Sequence, residues 1–164
     1  MCDANGKCGS CSGTASIPGG GKVLTYNIRM NGFGILYSFA DSPSFAYTAG
    51  IEESWHHPEI IVFGLDYESS TRLITEAVEL IKTGTFFPNQ IAYYTIGDVK
   101  VRFVEVAAGV ALQYLCETAA YYGEKKFRVL QMLWPDGQGR FPFEPECSVE
   151  VKRTQPVISE LTRS

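Results

Sequence analysis

Leu73, Ile74, Ala77, Val78 and Ile81 share one face of a helical projection, bracketed by Asp66 and Gly84. An aspartate ahead of such a run can accept a free amide of the first turn, and a glycine behind it supplies the left-handed backbone on which helices end. The spacing predicts a helix between them whose apolar stripe needs a second layer to cover it. Just upstream, FAYTAGI and EIIVFGL are rich in β-branched and aromatic residues and read as strands. They flank a polar loop, Glu52 to Pro58, that holds Trp55, His56 and His57. A one-sided helix next to two strands restricts the chain to folds that layer helix on sheet.

The other segments extend this pattern. VLTYNIRM and GILYSF lie either side of Asn31-Gly32, a pair suited to the positive φ angles of a tight turn, so a hairpin is expected from Val23. Asp41-Ser42-Pro43-Ser44 reads as a turn, and IAYYTI and VKVRFVEV around Gly97-Asp98 as a second hairpin. A second helix is expected from about Val110 to Tyr122, with Leu112, Leu115, Cys116 and Ala119 on one face and Gly123 as its stop. FRVLQMLW is a further strand, PDGQGRFPFEPE a Pro/Gly-rich loop, and Cys147 to Val151 a short strand. The expectation is an α+β fold: a mostly antiparallel sheet built from hairpins, with two helices packed on one side. The regular strand-helix alternation of a doubly wound sheet is missing.

At 164 residues the chain suits one domain, read as a Cys/Gly-rich segment 1–22, a body 23–158 and a tail 159–164. Hydrophobic residues at 45% and charged ones at 20% are enough for a core. A net charge of −4 gives no general attraction to nucleic acid or to an anionic membrane, so neither is an expected partner. No apolar run approaches the roughly 20 residues of a membrane span, and the first residues do not read as a secretory signal. Five cysteines, three of them between positions 2 and 11, do not read as a disulfide framework and suggest a reducing, cytoplasmic setting.

Several residues are candidates for chemistry. Cys2, Cys8 and Cys11 form C-x5-C-x2-C, which can set three thiolates around zinc or an iron-sulfur cluster, with Cys147, Cys116 or His57 as a fourth ligand. The alternative is a tail with incidental thiols. His57 and Glu59, two apart at the mouth of a strand, can face the same way and act as a base with its orienting carboxylate. Equally, they can hold the strand entry together. Trp134, Asp136 and Arg140 offer an aromatic wall, a carboxylate and a guanidinium to a small polar ligand, or staple their own loop. Tyr47 and Tyr122 are candidate ligand contacts, with burial in a core or interface as the competing role. Gly19-Gly20-Gly21-Lys22 lacks the spacing and the Ser/Thr of a phosphate loop, and no Gly-x-Ser-x-Gly elbow is present.

FAYTAGIEESWHHPEIIVFGL, then VRFVEV, AAYYG, LQMLWPDGQGRFPFEPE and TQPV, together resemble the bacterial domain-of-unknown-function family numbered 4262. The likeness runs from about Gly32 to Val157, and Met1-Cys2 with Cys8 and Cys11 echoes that family's start, with a wider first gap than its short Cys-x-x-Cys form. The resemblance implies a family and no particular activity. Two readings of function follow from the residues. One is a metal-associated enzyme or small-ligand-binding domain, with the His57–Glu59 loop facing the Trp134–Arg140 loop across a pocket. The other is a non-catalytic interaction module whose exposed aromatics bind a partner or a second copy, a homodimer being the simplest case.

Overall fold

A computed structural model describes residues 20–88 and 92–159. Six strands, β1 (Gly34–Ser38), β2 (Phe45–Ala49), β3 (Glu59–Phe63), β4 (Tyr93–Ile96), β5 (Val99–Val106) and β6 (Val129–Leu133), form one sheet in the order β1-β2-β3-β6-β5-β4. The helices are α1 (Gly20–Asn31), α2 (Ile51–Trp55), α3 (Tyr67–Lys82), α4 (Ala108–Tyr114), α5 (Cys116–Tyr122) and α6 (Val149–Thr154). The class is α+β. Two antiparallel meanders, β1-β2-β3 and β4-β5-β6, are joined side by side through a parallel β3–β6 pair, with Glu59 opposite Val129. The sheet is therefore mixed.

β3 shows why the helices cannot all lie on one side, as the sequence led us to expect. All five of its residues are buried. Ile60 and Val62 pack with Leu73, Ile74, Ala77, Val78 and Ile81 of α3. Ile61 and Phe63 point the other way, into a second core with Val110, Ala111 and Leu115. A central strand that is apolar on both faces needs cover on both. α3 covers one face and the α4–α5 pair the other.

α3 forms as its spacing predicts: the Asp66 side chain accepts the Ser69 amide at 2.7 Å, and Gly84 takes φ 103° behind the last turn. The Gly97-Asp98 hairpin is also present. VLTYNIRM, however, is helical rather than extended. Leu24 and Ile28, four apart, are buried together against Ala49. The Gly32 amide donates to the Ile28 carbonyl at 2.7 Å with φ 86°, so Asn31-Gly32 ends a helix instead of turning a hairpin. Both uses call for positive φ. Packing chooses between them by burying Leu24 and Ile28 on one helical face, and the Trp55 ring, 2.5 Å from where a Cβ on residue 32 would sit, leaves room there only for glycine. The expected second helix is broken at Leu115 (φ −91°, ψ 58°) into α4 and α5. The expected strand near Cys147 is instead the start of α6, whose Val151 amide is capped by the Ser148 side chain.

Candidate functional site

Glu59 opens β3 with its side chain wholly buried. One carboxylate oxygen accepts the Thr48 hydroxyl at 2.6 Å, and the other accepts the Gly50 amide at 2.9 Å, the Glu52 amide at 3.2 Å and the Tyr122 hydroxyl. Gly50 has φ 103°, a left-handed conformation that side-chain-bearing residues rarely adopt and that turns the chain from β2 into α2. The two hydroxyls are themselves oriented, because Thr48 accepts the Ile60 amide at 2.9 Å and Tyr122 accepts the Glu53 amide at 3.2 Å. Both are thereby aimed to donate, and an ionised carboxylate is the side chain that only accepts. Burial pushes the Glu59 carboxyl above the usual range, with Thr48 and Tyr122 pulling against it. Burial and the Glu59 charge push the Tyr122 hydroxyl strongly upward, so it stays a donor.

His57 is equally buried but belongs to another environment. Its Nδ1 is 2.8 Å from the Pro58 carbonyl and its Nε2 accepts the Phe87 amide at 3.2 Å, an arrangement that puts the hydrogen on Nδ1. Phe86 and Phe87 stand edge-on to the ring at 5.5 and 5.6 Å. Burial lowers the imidazole pKa. His57 thus clamps the segment after α3 to the entry of β3. The expected His57–Glu59 pair does not form: Glu59 bonds to α5 through Tyr122, and His57 to Phe87, which is part of the α3 core. Alternation along a strand begins only at Glu59, since His56 still ends α2 with φ 53°.

The Trp134–Arg140 loop is bonded to itself and its neighbours. Asp136 accepts the Gln138 and Arg140 amides on one oxygen and the Ser148 amide on the other, at 2.9, 3.0 and 2.9 Å. These bonds, the Arg140 amide first, hold its carboxyl down at about 2. Arg140 pairs with Asp136 at 3.4 Å and Glu146 at 3.7 Å. Trp134 donates its indole N–H to the Phe63 carbonyl at 2.8 Å, and its backbone is gripped by the Gln155 amide group. Because β3 and β6 run parallel, His57 and Glu59 sit at the start of that pair and Asp136 and Arg140 beyond its end. The structure does not bring the two loops to one pocket. Surface depressions along α1 (Gly21, Thr25, Arg29) and along α3 (Tyr67, Thr71, Thr75) contain neither loop.

The remaining candidates fall as follows. Tyr47 is buried against Phe45, its hydroxyl 3.5 Å from the Glu117 amide. Cys2, Cys8 and Cys11 lie outside the described residues. Cys147 is buried with its sulfur 3.3 Å from the Arg140 carbonyl, and Cys116 is disulfide-bonded, which departs from the expectation of unpaired thiols. Among the described residues no group of three His, Cys, Asp or Glu side chains is placed to hold a metal, and no helix is long and apolar enough to cross a membrane.

The sequence reading missed an aromatic cluster at the β1 edge of the sheet. Phe39, 77% exposed, stacks on Tyr67, 56% exposed, at 6.2 Å, and Tyr37 stands edge-on to both at 4.6 and 5.7 Å. The Tyr37 hydroxyl is anchored on the Leu65 carbonyl at 2.9 Å. The signal was present in the unbroken aromatic spacing of Tyr37 and Phe39, but nothing local shows that a ring beyond the strand end faces solvent.

Two outcomes follow from this geometry. Glu59→Ala leaves several buried donors unmatched at about 1–3 kcal/mol each, so urea unfolding should show a loss of roughly 3 kcal/mol or more. Glu59→Gln keeps the oxygen that meets three donors and should cost far less; equal losses would show that the carboxylate's bonds are not what matters. For His57, the folded-state pKa lies below the unfolded value of about 6.5, so its contribution is complete above that value and is lost as pH falls through it. Between about pH 7 and 5 the wild type should lose stability more steeply than His57→Gln, which can still accept from Phe87 but takes up no proton.

No curated protein and no solved structure matches the chain. A family model described as "Domain of unknown function (DUF4262)" matches residues 27–148. That span runs from the second half of α1 to the Ser148 cap of α6 and takes in all six strands, the Glu59 network and the aromatic cluster. The chain belongs to the DUF4262 family.

Proposed function

We propose that this domain is a protein-interaction module, with the Tyr37–Phe39–Tyr67 cluster as its recognition surface. One observation carries the reading. Glu59, His57 and Asp136 have their polar atoms hydrogen-bonded by neighbouring backbone or side chains and Arg140 is ion-paired with Asp136 and Glu146, whereas Phe39 and Tyr67 stay largely exposed. Rings held rigid by mutual contact bury a large area at small entropic cost when a partner covers them, which is why aromatics dominate binding hot spots. The test is a photo-crosslinking residue at position 39 in cells, with a second at the exposed Glu124 as control. A discrete adduct at 39 and none at 124 is the expected result, and the purified pair should then lose at least about tenfold in affinity on Phe39→Ser. Equal crosslinking at both positions would remove the reading.

The thiolate reading stands on a separate feature, the Cys2, Cys8 and Cys11 spacing, which in the reduced chain, without the Cys116 disulfide, suits zinc ahead of an iron-sulfur cluster. His57 is a poor fourth ligand, because both its nitrogens already have partners. A bound group would stabilise the fold and supply metal-centred or redox chemistry near the N-terminal segment. Protein purified anaerobically without a metal-affinity tag should hold about one zinc or one cluster per chain, lost in Cys8→Ser. Metal-free protein of unchanged stability would leave these cysteines without that role.

A further inference from the structure

The two edge strands of the sheet differ in charge. Among the described residues β1 pairs only with β2 and β4 only with β5. No Lys or Arg occurs between Arg29 and Arg72. Of the acids in that stretch, Glu59 is buried, Glu52 is paired with Arg128 at 2.9 Å, and Glu53 accepts the Tyr121 hydroxyl at 2.9 Å. Asp66 and Glu68 directly flank Tyr67 in sequence; Asp66 accepts the Ser69 amide at 2.7 Å and Glu68 is exposed, while Asp41 accepts the Ser38 hydroxyl on the strand face opposite Tyr37. At the far edge Tyr93, 45% exposed, has the Lys100 ammonium 4.5 Å and the Arg102 guanidinium 5.4 Å from its ring centre, Arg102 also lying 4.7 Å from that of Phe143. Asp98, the acid of that hairpin's turn, is paired with Arg72 at 3.4 Å. One edge thus offers aromatic faces and negative charge, and the other offers cations already resting on an aromatic face.

Strand geometry decides how the edges can meet. Tyr37 packs against the α3 core, so the acidic cluster lies on the α3 face at the C-terminal end of β1. On β4 and β5, Tyr94, Ile96, Val101 and Phe103 point into that same core, so Tyr93, Lys100 and Arg102 lie on the opposite face, with Tyr93 starting β4. Placing β4 of a second copy antiparallel to β1 turns the second sheet over. The α3 face of one copy then adjoins the opposite face of the next, and the end of β1 adjoins the start of β4. Both conditions for bringing Lys100 and Arg102 onto Phe39 and Tyr67 are met by that single pairing. A parallel pairing meets neither.

We propose that copies of this chain associate head to tail, β1 of one adding antiparallel to β4 of the next, with the acidic aromatic cluster receiving the Lys100–Arg102 edge. The proposal rests on the interaction-module reading and names its partner as a second copy. The interface is heterologous, so nothing limits it to two copies. Edge pairing supplies main-chain hydrogen bonds, and charge selects the partner edge.

Sedimentation of the purified chain tests this. The wild-type mass should rise with concentration past that of a dimer, and fall back as salt screens the edges. A Phe39→Ser, Glu68→Lys variant and a Tyr93→Ser, Lys100→Glu variant should each stay monomeric alone. Mixed, they retain one intact edge apiece of opposite kind and should form a one-to-one dimer that grows no further, which also shows that both are folded. A wild type that stays monomeric at its highest soluble concentration, or variants that fail to combine, would overturn the proposal. A position-39 adduct formed with a different protein would overturn self-association while leaving the interaction module standing.

Discussion

The Glu59 carboxylate is the interaction on which the rest of the structure turns. Its four donors come from β2, the β2–α2 turn, α2 and α5, so one side chain ties the central strand to its neighbour β2 and to two helices. A buried charge is costly unless its bonds are complete. Here the completion is mutual: the hydroxyls of Thr48 and Tyr122 are turned toward the carboxylate by backbone amides that need acceptors of their own. The left-handed Gly50 belongs to the same arrangement, since the turn it makes aims its own amide and the Glu52 amide of α2 at one oxygen.

Around that junction the fold is two antiparallel meanders fused along β3 and β6. Fusion in the parallel sense makes the chain cross one face through α3, from β3 to the far edge at β4, while α4 and α5, between the antiparallel β5 and β6, cover the other. It also separates the polar loops, placing His57 at one end of the central pair and Asp136 at the other. Each loop then satisfies its polar groups locally. His57 holds the segment after α3, and Asp136 holds the turn that leads to α6.

With Glu59, His57 and Asp136 engaged in this way, the sheet edges stand out among the outward-facing features for carrying exposed rings and charge together. A β-edge is an invitation to pairing that proteins ordinarily blunt with charge or cover. In this domain the charges on the two edges have opposite sign, and the same feature that discourages like edges from meeting favours unlike ones.

Local sequence determined α3, the second hairpin, β2, β3 and β6, because in each the apolar spacing, the caps and the turn residues agree. It also carried the family, through motifs spread over most of the chain. It did not determine VLTYNIRM, where β-branched composition and an Asn-Gly pair favour a hairpin while Leu24 and Ile28 at a four-residue interval favour a helix. Ala49 and Tyr121, distant in sequence, settle that by burying Leu24 and Ile28 together. The candidate site divides in the same way. That Glu59 and His57 were worth attention was legible from their place at the mouth of an apolar strand. That they act as two separate structural clamps was decided by Tyr122 and Phe87, each brought in from another element. Hydrogen-bond partners far apart in the chain leave no periodicity to read, so the tertiary structure alone could assign the role of each buried polar group.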